Sequence, residues 1–326
     1  MPGVHRIPLP LPFDGLNAVN VYAVTDGDDL TLIDGGWALD ASRRQLERAL
    51  AALDRQLGDI TRFLVTHVHR DHYTQAIAVR RAFGTTVALG AGERRSLELL
   101  HDPGRRALDT QLRRMDAAGA TALHTALRAR RRDRTADLDD WQPPDLWIAD
   151  GATLGVGGRR LVATRTPGHT QGHLVFTDDA DGVLFAGDHV LPHITPSIAL
   201  EPVDATLPLG DYLTSLAALR TRPDMWLLPA HGPVTGSVHA RIDELLVHHD
   251  TRLDATAAAI AAGTSTAYET ARSLRWTRRG RSFAELDEFN QMLAVSETLA
   301  HLDLLVARGR LERTGMSTGL RYTVPH

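Results

Sequence analysis

The chain of 326 residues carries a formal net charge of -4 at neutral pH, which excludes the overall basic field that favours binding to a polyanion. Hydrophobic residues make up 43% of the sequence, enough for a sizeable core, and the length favours one large domain with an appendage. The absence of cysteine excludes disulfides, thiolate ligands and cysteine nucleophiles, and the absence of lysine excludes a lysine Schiff base.

The first predicted elements are a β-hairpin and a helix. Apolar runs at residues 17–25 and 30–34 flank the polar residues 26–29, and two glycines then end the sheet. Asp40 is a candidate N-cap, because leucines recur at helical spacing after it until Gly58. These leucines are Leu46, Leu50, Leu53 and Leu57. We expect this helix to pack on a sheet.

A predicted strand at residues 60–66 leads directly into the motif THVHRDH. His67 and His69 are two positions apart, so in an extended or tightly turned loop their rings point the same way and can bind one metal ion. Asp71 and His72 follow as the chain turns into a helix, and they face the space beside that ion. The alternative is a set of ordinary polar loop residues, but three histidines interleaved with an aspartate at a strand end favour a metal site.

A helix is expected after this motif as far as Phe83, where Gly84 ends it, and a short strand is predicted at residues 86–89. Residues from about 92 to 141 are predicted to be a helical insertion. Five arginines form a basic run in this insertion: Arg128, Arg130, Arg131, Arg132 and Arg134. We interpret the run as a solvated helix face; the alternative is a helical lid over the metal loop, with arginines that reach an anionic substrate.

The β pattern resumes after the insertion. The predicted strands are residues 152–154, 159–166, 173–177, 183–186 and 226–228, with a helix at 211–220. Three of these strands lead into a residue that binds metals well: His169, Asp188 and His231. Each residue alone is a weak signal, because a single histidine or aspartate after a strand is usually a turn residue. Together with the first loop they supply a second set of ligands of the right type.

The C-terminal quarter is predicted to be mostly helical. Helices are predicted at residues 238–262, 267–274 and 284–308, and short strands at 311–314 and 320–324. This order of elements is the outline of a winged helix.

The motif HxHxDH, followed by single His, Asp and His residues at three later strand ends, resembles the metallo-β-lactamase superfamily. The resemblance covers roughly residues 1–240, and the segment 187–196 and the tail are similar to the branch with a C-terminal winged-helix extension. It implies an α+β fold, a four-layer αβ/βα sandwich with the site at one edge of two packed sheets. The implied domains are a hydrolase domain at 1–240, with the helical insertion at about 92–141, and a helical, winged-helix-like domain at 241–326.

The resemblance also implies the site residues. The first metal would be bound by His67, His69 and His169, the second by Asp71, His72 and His231, and both by the bridging carboxylate of Asp188. Asp71 is also the expected catalytic residue, which orients the attacking hydroxide, and His189 and His193 are candidates for substrate contact or for support of the ligands. The expected cofactors are two divalent ions per chain, zinc in the first place, with iron or manganese as alternatives.

The aspartate at position 188 departs from true β-lactamases and is similar to glyoxalase II, the lactonases and RNA-processing members. The glutathione-binding basic residues of glyoxalase II have no recognisable match here. We therefore expect hydrolysis of a small-molecule acyl substrate, a thioester, ester or lactone, by a metal-bridging hydroxide. The alternatives are a phosphodiesterase or single-strand ribonuclease and, third, a metal-stabilised DNA-binding module, although the mixed charges of the tail disfavour nucleic acid.

The sequence contains no run of about eighteen apolar residues, and its first residues lack a basic region followed by an apolar one. We therefore expect a soluble, cytoplasmic protein without a membrane partner. A homodimer is an open alternative to a monomer.

Overall fold

The computed structural model describes residues 1–13, 15–105, 108–129, 135–198, 200–277, 279–316 and 319–325. Its strands are β1 Val4–Phe13, β2 Leu16–Asp26, β3 Asp29–Ile33, β4 Arg62–Val65, β5 Thr86–Gly90, β6 Leu146–Ile148, β7 Thr153–Val156, β8 Arg159–Arg165, β9 Leu174–Asp178, β10 Val183–Gly187, β11 Trp226–Pro229, β12 Glu312–Met316 and β13 Gly319–Thr323. Its helices are α1 Asp40–Ala51, α2 Arg70–Phe83, α3 Arg94–His101, α4 Asp109–Ala117, α5 Thr121–Ala129, α6 Pro208–Arg220, α7 Val238–Ala261, α8 Ala267–Ser273 and α9 Glu288–Ala307.

Two sheets form the centre of the fold. The six-stranded sheet has the order β1-β2-β3-β4-β5-β6, in which β1 to β3 are antiparallel and β3 to β6 are parallel. The five-stranded sheet has the order β11-β10-β9-β8-β7, with β10 and β11 parallel and the other pairs antiparallel. Strands β12 and β13 form a separate hairpin.

Alternating side chains of the strands divide the core into three layers. Leu64 of β4 and Phe185 of β10 lie in the cluster between the two sheets. Phe63 of β4 faces the other way, toward α1 and α2, whereas Leu184 of β10 faces a cluster shared with α4 to α9. Sheets packed face to face with helices on both outer faces confirm the predicted αβ/βα sandwich.

Strand β1 was not among the elements predicted from the sequence. Pro8 and Pro10 lie inside it, and proline removes a donor from the hydrogen-bond ladder. The structure places β1 at the edge of its sheet, where such a loss is tolerated, and buries Ile7 and Leu9. The edge position therefore explains how a strand with two prolines forms.

Several predicted helix bounds were wrong by a few residues. The N-cap of α1 is Leu39, not Asp40, and the helix ends at Ala51 because Asp54 adopts a left-handed backbone with φ of 56°. Helix α6 begins at Pro208, since proline suits the first turn of a helix. Helix α9 begins at Glu288. Its N-cap is Asp287, whose side chain accepts a hydrogen bond from an amide of the first turn.

The C-terminal helices pack onto the rest of the chain through one continuous core. Buried Leu305 of α9 and Leu245 of α7 share an apolar cluster with Leu216 of α6 and Leu227 of β11. The winged-helix interpretation and the division at residue 240 stay predictions. No helix among the described residues is long and apolar enough to cross a membrane.

Candidate metal centre

The seven residues predicted to bind metal lie together at one edge of the two sheets. The loop after β4 carries four of them, and the segments after β8, β10 and β11 each carry one. They form two groups, and within each group the ligand atoms all lie within 4.8 Å of one another. The first group is His67, His69, His169 and Asp188, and the second is Asp71, His72 and His231.

Three ring nitrogens of the first group point at the same space. The Nε2 atom of His169 lies 3.2 Å from Nε2 of His67 and 2.9 Å from Nδ1 of His69. On its other side, His169 places Nδ1 2.7 Å from the carbonyl oxygen of Ser197, to which it donates. Nε2 of His169 therefore carries a lone pair.

Thr66 fixes the tautomer of His67 in the same way. Its hydroxyl lies 3.0 Å from Oδ1 of Asp34, to which it donates, so its own lone pair can accept from Nδ1 of His67 at 3.0 Å. The Nε2 lone pair of His67 therefore faces that of His169. Two lone pairs this close repel each other, and a cation between them removes the conflict.

The second group has the same design. His72 donates from Nδ1 to Oδ2 of Asp34 at 2.9 Å, and His231 donates from Nδ1 to the carbonyl oxygen of Ala18 at 2.8 Å. Their Nε2 atoms then face carboxylate oxygens: that of His231 lies 3.4 Å from Oδ2 of Asp71, and that of His72 lies 3.7 Å from the same atom. Each Nε2 therefore needs a positive charge between itself and the carboxylates, which either a proton or a metal ion supplies.

Asp188 lies between the two groups. Its Oδ2 is 3.4 Å from Nε2 of His169, and its Oδ1 is 3.3 Å from Nε2 of His231 and 3.7 Å from Nε2 of His72. One carboxylate therefore faces histidines of both groups. Gly187 precedes it with φ of 50°, and a Cβ there would lie 2.7 Å from both Thr66 Oγ1 and His173 Nε2, so this turn admits only glycine.

The donor set fits divalent metal ions. Nε2 of His72, Nε2 of His231 and Oδ1 of Asp188 are buried and make no hydrogen bond within the described parts of the chain. Buried polar atoms normally find partners, so orphaned atoms that converge on one space indicate ligands. Imidazole and carboxylate groups suit zinc, iron and manganese alike.

The charges of the site follow from burial and mutual contact. Burial lowers the pKa of His69 to about 3 and that of His169 to about 4, so both rings are neutral at pH 7. Burial also lowers the pKa of His72, but the carboxylates of Asp34, Asp71 and Asp188 outweigh it and raise this pKa to about 10. A metal ion would take the place of the proton on His72.

Three residues that support the ligands were missed in the sequence. Asp34 accepts from His72 and, through Oδ1, from the backbone amide of Thr66 at 2.8 Å. His173 is fully buried, and its Nε2 accepts from the amide of Asp188 at 3.2 Å. The only signal for Asp34 and Thr66 was their position at the ends of β3 and β4, which are adjacent parallel strands.

The roles predicted for His189, which directly follows Asp188, and for His193 stay predictions. His189 is fully buried, and its ring packs against Tyr212 with centroids 5.1 Å apart, whereas His193 is exposed. Arg128 of the basic run is exposed. The rest of the run, Arg130 to Arg134, lies outside the described residues.

Comparisons with known proteins agree with this geometry. The family model of the metallo-beta-lactamase superfamily matches residues 14–247. The probable metallo-hydrolase YqjP of Bacillus subtilis (strain 168) is 27% identical over 320 residues, which cover 93% of this chain and 92% of that protein. The crystal structure of a metallo-beta-lactamase family protein from Thermus thermophilus is similar, with a TM-score of 0.80 and 29% identity, covering 100% of this chain and 99% of that one.

A shorter match connects the chain to a fungal enzyme. Atrochrysone carboxyl ACP thioesterase AgnL7 of Paecilomyces divaricatus is 32% identical over 105 residues, which cover 32% of this chain and 31% of that enzyme. This local match does not extend to the whole of either protein. The family match, in contrast, covers most of the chain and includes every residue of both ligand groups. The chain therefore belongs to the metallo-beta-lactamase superfamily and is a metal-dependent hydrolase.

Proposed function

We propose that this hydrolase uses two metal ions to cleave an acyl substrate, a thioester, ester or lactone. The observation that carries the dinuclear proposal is the position of Asp188, whose two oxygens face histidines of different groups at 3.4 and 3.3 Å. A carboxylate in that position suits a bridging ligand. His67, His69 and His169 would hold one ion, and Asp71, His72 and His231 the other.

Divalent ions held by these residues would supply a Lewis acid for the scissile carbonyl oxygen and would lower the pKa of an attacking water. Asp71 is the residue of this chain best placed to orient that water. Burial raises its pKa, but the adjacent rings of His72 and His231 outweigh this and hold the pKa well below its usual range. It is therefore an anionic acceptor at neutral pH, and 22% of its side-chain surface is exposed, whereas His72 is fully buried. Substrate would thus approach from the side of Asp71.

The charge distribution disfavours the nucleic-acid alternative. The chain is net acidic, and three arginines of the C-terminal region are paired with acids of the same region. Arg313 lies 2.8 Å from Asp303, and Arg310 lies 2.9 Å from Asp254. Arginines held in this way contribute little to a one-sign groove for nucleic acid. The thioesterase name of the fungal relative AgnL7 points to the proposed acyl substrate class.

The test is a substrate panel on one zinc-loaded preparation: an acyl thioester, a lactone, a β-lactam and single-stranded RNA. We expect the highest kcat/KM on the thioester or the lactone, with little change between low and moderate salt, because an uncharged acyl group releases no counterions on binding. RNA cleavage that falls steeply with salt would instead indicate phosphate contacts and support the ribonuclease alternative. Preference for RNA with that salt dependence would overturn the proposal.

A further inference from the structure

Two glutamates lie buried beside the ligand loops, and no step described so far uses them. Glu93, just before α3, and Glu201, in the segment before α6, are both fully buried. Oε2 of Glu93 and Oε1 of Glu201 make no hydrogen bond within the described residues. Buried acids are rare unless they are paired or have a function, so this pair requires an explanation.

Their hydrogen bonds lead to residues next to the histidines of the first group. The hydroxyl of Thr170, the residue after His169, donates to Oε1 of Glu93. Glu93 is therefore in contact with the loop that carries His169.

Glu201 strengthens the same connection. Its Oε2 accepts from the backbone amide of Gln171 at 3.1 Å and from the hydroxyl of Ser96 at 3.3 Å. Glu93 and Glu201 thus both bind the segment that follows His169.

The backbones around this contact approach too closely for any side chain. A Cβ on Gly172 would lie 2.1 Å from the nitrogen of Glu93, and one on Gly90 would lie 2.5 Å from the carbonyl oxygen of Gly172. Glycine at both positions lets the turn before α3 press against the His169 loop. The absence of a side chain at Gly90 and at Gly172 thus allows Glu93 to reach Thr170.

The charge of the pair argues against a role in stability alone. Burial raises the pKa of Glu93 to about 8 and that of Glu201 to about 7, which means that folding disfavours their charged forms. Apolar residues of similar size would fill the same space without this cost. What they would not supply is an acceptor for the Thr170 hydroxyl and the Gln171 amide.

We propose that Glu93, supported by Glu201, is a positioning residue that fixes the loop of His169 against the turn before α3. The proposal rests on the proposed metal-binding function of these histidines. Because the ring of His169 must converge with those of His67 and His69 on one ion, a loosened His169 loop weakens the binding of that ion.

The test compares Glu93→Met with Glu93→Gln. Zn²⁺ affinity is measured by competition with a chromophoric chelator, and unfolding of the metal-free protein is followed by circular dichroism. Glu93→Met removes both acceptors, and we expect one of the two zinc-binding steps to weaken by about 10- to 100-fold, with kcat lowered and KM little changed. Glu93→Gln keeps an oxygen for Thr170 and should restore most of the affinity.

Asp303→Asn is the matched control, because Asp303 is a largely buried acid that bonds Arg313 and Tyr322 in the C-terminal region. It should lower stability and leave zinc affinity unchanged. If Glu93→Met does not fold, Thr170→Val and Thr170→Ser take its place: valine should weaken zinc binding several-fold and serine should restore it.

Unchanged zinc affinity in Glu93→Met or in Thr170→Val, with the wild type binding zinc normally, would overturn the positioning role and leave the proposed function standing. A wild type that binds no zinc would instead contradict the proposed function itself.

Discussion

The imidazole Nδ1 of His72 lies 2.9 Å from Oδ2 of Asp34, although 38 residues separate them in the chain. The other oxygen of Asp34 accepts from the amide of Thr66 at 2.8 Å. Asp34 has a left-handed backbone with φ of 62°, a conformation that aspartate tolerates better than most residues. One carboxylate thus orients a ligand of the second group and the start of the loop that carries the first.

Asp34→Asn should therefore weaken metal binding, although Asp34 belongs to neither ligand group. An amide cannot accept from both His72 and Thr66, because its nitrogen is a donor and would meet a donor on one side. We expect a loss of about 10- to 100-fold in zinc affinity, measured by chelator competition. Asp29→Asn, at the β2–β3 turn and away from the ligands, is the control and should bind zinc as the wild type does. Equal affinities in the two variants would show that Asp34 does not orient His72.

Asp71→Asn tests the orientation of the attacking water. The variant keeps the size of the side chain, so the fold should persist by circular dichroism. We expect kcat to fall by about 100-fold or more, the order lost when one well-placed catalytic group is removed. The zinc content of the variant must be measured alongside, since Asp71 is also a proposed ligand. Wild-type turnover at full zinc occupancy would remove Asp71 from the mechanism.

The local part of the site could be predicted from the sequence, whereas its supports could not. His67, His69, Asp71 and His72 stand within six residues, so their convergence follows from one loop. Asp34 precedes two glycines and has the composition of an ordinary turn. Only the parallel pairing of β3 and β4, with Ile33 opposite Leu64, brings it to the site.

Glu93 shows the same limit more sharply. A glutamate followed by arginines at the start of a helix is expected to be solvated, and nothing local indicates that it is buried. Its burial depends on the close approach of Gly90 and Gly172, which are far apart in the sequence. Strand β1 was missed for a related reason, since whether Pro8 and Pro10 are tolerated depends on the edge position, which the sequence does not encode locally.

A buried histidine pair should make stability depend on pH. Nδ1 of His249 in α7 lies 3.3 Å from Nε2 of His301 in α9, and burial lowers the pKa of His249 to about 2 and that of His301 to about 4. Both values are below the unfolded value near 6.5, so the unfolded chain binds more protons as the pH falls. Stability should therefore decrease from about pH 6.5 down to pH 4.

His249→Gln removes one of these titrating groups. Its free energy of unfolding, measured by denaturant titration of the metal-free protein, should change less with pH than that of the wild type. The difference in slope is expected to be about 1 kcal/mol per pH unit between pH 6 and pH 4. Metal-free samples are compared so that release of metal at low pH does not contribute. The ligand histidines are the same in both proteins, so their titration cancels in the difference. Parallel pH profiles would mean that folding does not lower the pKa of His249.

The C-terminal helices should stabilise the fold more than they assist the chemistry. Leu305 of α9 is fully buried in the core shared with α6 and β11. Leu305→Ala should cost about 2–5 kcal/mol of unfolding free energy, because it removes buried methyl groups and leaves a cavity. At a temperature where the variant stays folded, kcat and zinc content should match the wild type. If the fully folded variant lost zinc or had a lower kcat, these helices would have a role in the site.

Metal analysis of purified protein, combined with assay of its metal-free form, tests the central claim most directly. We predict two equivalents of metal per chain, loss of acyl hydrolysis on chelation and recovery when Zn²⁺ is restored. His69→Ala should lose at least one equivalent of metal together with its activity, because it removes one of the three histidines of the first group. The control is His124→Ala, which removes a histidine that contacts Asp116 and belongs to neither ligand group. It should retain both equivalents. Full hydrolytic activity in a verified metal-free preparation would contradict the account.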